Sequence, residues 1–107
     1  MKRSSALIKQ VVGKIAAHLH PEKVVLFGSH ANAGKNDVGD IDILIISNSP
    51  TSKKEQTLSA EKLFKDRDFP LDILVYSVEE VEQFKSIKGS LINEILCDGK
   101  VLYDRAA

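Results

Sequence analysis

The chain has 107 residues, enough for one domain (residues 1–107) and one modest core, since a chain this size buries roughly 60–70% of its unfolded surface. Lys+Arg 15 balance Asp+Glu 15, so non-specific nucleic-acid binding has no electrostatic support, and a template-directed polymerase has neither the charge nor the room for DNA-gripping parts. A lone cysteine, Cys97, excludes an internal disulfide; no apolar run nears the ~20 residues that span a membrane, and the Lys2-Arg3-Ser4 start precedes no apolar leader, so the expected setting is the cytoplasm.

In chain order, Ser4 or Ser5 is a candidate cap for a helix whose Leu7, Ile8, Val11, Val12, Ile15 and Leu19 follow the i, i+3, i+4 rule. Pro21 disfavours helical geometry at His20 and should end it there. Val24 to Phe27 is a short β-branched run that reads as a strand. Residues 29 to 33 are expected to form a short helix and residues 34 to 37 a turn, leading to a second strand at Ile41 to Ile46. A loop containing Pro50 follows. Ser52 and Glu55 form a capping box for a helix with Leu58, Leu63 and Phe64 as its thin apolar face. After Pro70 comes a third strand, Leu71 to Tyr76. Ser77 and Glu80 form a second capping box, for a helix carrying Val81 and Phe84. Leu91, Ile92, Ile95 and Leu96 mark another amphipathic segment, offered as a candidate association surface, and Asp98-Gly99 turns the chain into a last strand, Lys100 to Tyr103. Strands alternating with helices give an α/β (α+β) class: a small mixed sheet of about four strands with helices packed on it.

The stretch from Val24 to Ile46 carries the chemistry. Alternation along a strand puts Asp40 and Asp42 on one face, with Ile41 and Ile43 on the other. Two carboxylates at the mouth of an apolar strand are costly unless a positive charge neutralises them, and a hard divalent ion such as Mg²⁺ does so with oxygen ligands. Gly28-Ser29 stands where a strand ends and a helix could start, a place where outward N–H groups favour an anion. A phosphate cradle beside a dicarboxylate site suggests phosphoryl or nucleotidyl transfer.

Gly28-Ser29, ten intervening residues, then Asp40-Ile41-Asp42 resembles the G-S-x10-D-x-D signature of the DNA polymerase beta superfamily of nucleotidyltransferases. The short chain and the preceding Val24-Phe27 strand look like its minimal nucleotidyltransferase branch, and the likeness runs over nearly the whole length. The resemblance implies Mg²⁺, two ions by expectation, with ATP as nucleotide donor and NMP passed to a hydroxyl. It implies Asp40, Asp42 and Asp72 as catalytic, metal-holding carboxylates, Asp72 matching the family's third carboxylate on a later strand. Gly28 and Ser29 would bind the nucleotide, the glycine by admitting the phosphates close to the backbone and the serine through its hydroxyl and N–H. Many minimal members are encoded beside a HEPN-family protein, which they bind and in some pairs adenylylate as the antitoxin of a toxin–antitoxin module. A hetero-oligomer with such a partner is therefore expected, with no membrane and no direct nucleic-acid contact.

The chain departs from the family in its loop. Many minimal members read G-S-x-A-R-G; here the residues are Gly28-Ser29-His30-Ala31-Asn32-Ala33, with the glycine displaced to Gly34. Asn32 supplies neither the charge nor the fork of an arginine. Two further readings therefore stand beside the enzyme: a silent binding module that neutralises a partner, and a transferase acting on a small molecule of the aminoglycoside type. Three scattered histidines and one cysteine form no zinc pattern, His18 and His20 are expected near the terminal helix carbonyls, and Cys97 is expected as buried filler. The lysines at 53, 54, 62 and 65 are expected as a solvated helix face, with a nucleotide or partner contact as the alternative.

Overall fold

The computed structural model describes residues 3–28, 41–48, 51–67 and 69–106. Helix α1 (Arg3–Leu19) is followed by β1 (Lys23–Phe27), β2 (Ile41–Ser47), α2 (Lys53–Leu63), β3 (Leu71–Ser77), α3 (Val78–Phe84), α4 (Leu91–Asp98) and β4 (Lys100–Asp104). The four strands form one mixed sheet in the order β3-β2-β1-β4. Strand β1 runs antiparallel to both β2 and β4, while β2 and β3 are parallel. Parallel neighbours need a crossover, and α2 supplies it. The expected α/β layer of four strands is the architecture found.

Strand β2 is central, and its position explains its composition. Helices α1 and α2 cover one sheet face, where Val11, Ile15, Ala60 and Phe64 pack on Val24, Leu26, Ile43 and Ile45. Helices α3 and α4 cover the other, where Val81, Ile92 and Ile95 pack on Val25, Leu44 and Ile46. A strand buried on both faces must be apolar at almost every position rather than alternating, which is how Ile41 to Ile46 reads. Asp42 is its one charged residue.

The helix ends follow local chemistry with corrections. Helix α1 already runs through Ser4 and Ser5, so neither is its cap. It stops at Leu19, and His20 takes φ +48° immediately before Pro21, ending the helix where the proline demands. His18 Nδ1 lies 2.9 Å from the Lys14 carbonyl oxygen, a last-turn interaction of the expected kind. Ser52 caps α2 by accepting from the Glu55 N–H at 3.2 Å, and its hydroxyl, rather than its N–H, meets the Glu55 carboxylate at 3.4 Å. Only half of that capping box forms.

Leu58 does not belong to the buried face of α2. It is 48% exposed, and Ala60 is buried in its place, because Ala60, Leu63 and Phe64 share an i, i+3, i+4 stripe that Leu58 lies across the helix from. Cys97 is exposed on α4, not buried filler. In the proposed association segment, Ile92 and Ile95 are committed to the core, leaving Leu91 at the surface. Gly99 is required by close packing: a Cβ there would stand 2.5 Å from the Ile95 carbonyl oxygen and 2.8 Å from Val25 Cγ1, as the chain leaves α4 to run along β1.

The capping box of α3 is complete. The Ser77 N–H donates to Glu80 Oε1 at 2.9 Å, and the Glu80 N–H donates to the Ser77 hydroxyl at 3.0 Å. Lys53 Nζ adds a bond to Glu80 Oε2 at 2.8 Å, tying the start of α2 to the start of α3. That lysine, with the Ser77 amide behind it, holds the Glu80 carboxyl below its ordinary value of 4.5. The group is more acidic folded than unfolded, so its stabilising contribution is complete above pH 4.5 and drains away as pH falls through the lowered folded value. Glu80→Gln keeps the cap but removes the charge, so urea midpoints measured from about pH 6 to about pH 3 should fall less steeply than those of the wild type.

Among the described residues no helix is long and apolar enough to cross a membrane.

Candidate active site

The register of the sheet decides where the carboxylates meet. Asp42 on β2 pairs with Asp72 on β3, and on its other side with Phe27 on β1. Residues in register on neighbouring strands leave the sheet on the same face, with backbones about 4.8 Å apart. That face is the one on which Leu44, Ile46, Leu74 and Tyr76 pack under α3 and α4. The two aspartates thus sit side by side at one end of it, with Asp42 half-buried and Asp72 exposed. Their apolar neighbours in register, Ile41 and Leu71, turn to the opposite face and are buried there.

Gly28 closes the site from the end of β1. Its φ is +78°, a conformation that side-chain-bearing residues rarely adopt. Its missing side chain is also a packing requirement, because a Cβ at this position would run into Oδ2 of Asp42 and would stand 3.1 Å from its Cγ. The backbone at the strand-to-loop turn is therefore laid directly against the Asp42 carboxylate. Sequence reasoning assigned this glycine to the approach of phosphates; its contact with a site carboxylate depends on the antiparallel pairing of Phe27 with Asp42 and has no local signal.

Asp40, Ser29, His30 and Asn32 lie outside the described residues. Among the described residues no three acidic, histidine or cysteine side chains gather closely enough to hold a metal ion. Asp42 and Asp72 are the two of the proposed carboxylates that the structure brings together. Both offer hard oxygen donors on a shared face at an open end of the sheet, a donor set that suits Mg²⁺ with water completing its shell. A second cluster went unread in the sequence. Lys53 is more than part of a solvated face: it pairs with Glu80 and lies over the Tyr76 ring, its Nζ 4.2 Å from the centroid.

The family model described as "Polymerase beta, Nucleotidyltransferase" matches residues 9–107. No curated protein matches the chain significantly. Among solved structures, the crystal structure of a proposed nucleotidyltransferase from Sulfolobus solfataricus superposes with a TM-score of 0.63 at 22% identity, covering 97% of this chain and 83% of the other. At that identity the likeness bears on the fold alone.

Proposed function

Since the chain belongs to the polymerase beta nucleotidyltransferase family, we propose that it is a Mg²⁺-dependent transferase passing AMP from ATP to a hydroxyl of a protein partner, as a minimal member acting with a HEPN-type protein. The observation that carries this reading is the in-register pair Asp42 and Asp72, with Gly28 seated on the first of them. Asp42, Asp72 and, from the sequence pattern, Asp40 are the residues that would hold the metal. A Mg²⁺ ion held there would neutralise charge on the triphosphate and make the acceptor hydroxyl more acidic.

The remaining work falls to the chain itself. Gly28 keeps the turn free of side chains, so that phosphate oxygens approach the backbone while the Asp42 carboxylate keeps its place. Ser29 donates its hydroxyl and N–H to the β or γ phosphate. Asp72, the more exposed carboxylate, faces incoming acceptor and accepts its proton. The acceptor oxygen forms a bond to the α-phosphorus, and the bond from that phosphorus to pyrophosphate breaks. Such a transfer needs no nucleic-acid grip, in keeping with zero formal charge.

Asn32, where many minimal members carry arginine, favours a second reading: a silent module that binds its partner without modifying it. One experiment separates the two. The protein is incubated with Mg²⁺, labelled ATP and the product of the adjacent gene, using wild type and Asp42→Asn. Label on the partner with wild type and none with the variant is the expected result. Stable binding of the partner with no label from either protein would establish the silent module.

A further inference from the structure

Strand β3 ends the sheet on one side, with no further strand beside it among the described residues. Between it and α2 runs a groove of about 380 Å³, lined by Lys53, Lys54, Thr57 and Leu58 on the helix and by residues 73–76 on the strand. Four consecutive strand residues in one lining mean that the groove follows the backbone edge itself rather than one face of the sheet.

The direction of that edge can be derived. The Ile41 N–H donates to the Pro70 carbonyl at 3.2 Å, so residue 70 presents its carbonyl to β2. Successive strand residues alternate, so 72, 74 and 76 also turn toward β2, while 71, 73, 75 and 77 turn outward. Ser77 fits this phase, since its N–H goes to Glu80 instead of β2. Ile73 and Val75 therefore direct backbone N–H and C=O groups into the groove. Natural edges are normally blunted, because such a row invites a further strand. Here the row is walled by a helix that presents an exposed leucine, Leu58, at strand height.

The lining carries two lysines and no carboxylate. Glu80 balances Lys53 from outside the groove, whereas Lys54 leaves its charge on the exposed rim. We propose that this groove takes an extended peptide segment of a partner protein, added as a strand along β3, whose apolar residues meet Leu58 and whose acidic residues meet Lys54. Main-chain bonds to Ile73 and Val75 would supply affinity, and the helix wall selectivity, as in other strand-addition sites. Asp42 and Asp72 take no part in the groove, so the proposal holds whether or not the chain transfers nucleotides.

The test uses the intact protein and a labelled peptide alternating glutamate with valine and isoleucine, beside a counterpart carrying lysine for glutamate. The acidic peptide should bind saturably and protect the Ile73 and Val75 amides from hydrogen exchange, with little change at the already bonded amides of residues 72 and 74. Lys54→Glu and Leu58→Glu, both exposed positions, should each weaken it about tenfold at low salt without lowering the melting temperature. Equal binding of the lysine peptide, or protection elsewhere, would overturn the proposal. So would absence of saturable binding. Protection of Ile73 and Val75 without peptide, together with a dimer in sedimentation, would overturn it too, by giving the edge to a second copy.

Discussion

Asp72→Asn is expected to melt higher than the wild type in the presence of a chelator and to lose nucleotide transfer in the presence of Mg²⁺ and ATP. The two effects have one cause. Asp42 and Asp72 are in register on adjacent strands, and like charges facing each other across a sheet cost roughly 0.2–1 kcal/mol. Asp72 is exposed, so solvent screening puts the cost toward the lower end. For a chain this size, relief of that repulsion raises the melting temperature by about 1–5 °C. In the proposed transferase the same pair would be an asset, since two adjacent carboxylates are what would hold a divalent ion. Loss of one group that stabilises transition-state charge reduces turnover by about 10²–10³. Melting curves with and without Mg²⁺ check both halves: the ion should stabilise the wild type and leave the variant almost unmoved. A variant that melts lower in chelator would remove the repulsion argument, and one that keeps full transfer would remove Asp72 from the site.

Gly28→Ala should damage stability and transfer together. It forces an L side chain into the left-handed region, at about 1–2 kcal/mol, and drives that side chain into the Asp42 carboxylate. The molecule contains its own control. Gly89 has a similar φ, +87°, but a Cβ there meets nothing within 4 Å. Gly89→Ala therefore reports backbone strain alone, and should lower stability by that amount while leaving transfer unchanged. Gly28→Ala should lower stability further, and should lose transfer because the carboxylate has to swing away. Urea denaturation and label transfer on the two variants make the comparison. Equal losses of stability, with transfer retained in both, would mean that the Gly28 contact positions nothing.

The elements of this fold were legible because their signals are local. The apolar period of α1, the uninterrupted β-branched run of β2, Pro21 after His20 and the Ser77–Glu80 box each act within a few residues, and each element formed where its signal stood. Local signals also mislead. Leu58 stands outside the face that Ala60 occupies, because burial on a helix follows its phase and not the size of the side chain. Cys97 was assigned by residue type, while its position on α4 points it to solvent.

By itself, the amino-acid order determined the α/β class, the strand-forming runs, the turn glycine at 28 and the presence of aspartates at the mouths of two apolar strands. It could not determine that those strands are neighbours, because pairing is a contact between distant segments chosen by the packing of the entire sheet. Only the tertiary structure decided that Asp42 faces Asp72, that Gly28 lies on the Asp42 carboxylate, that Lys53 reaches Glu80 and Tyr76, and that β3 has no further strand beside it among the described residues. Local pattern selects which segments become strands and helices; register, which places one side chain against another, is set by burial summed over both faces of the sheet.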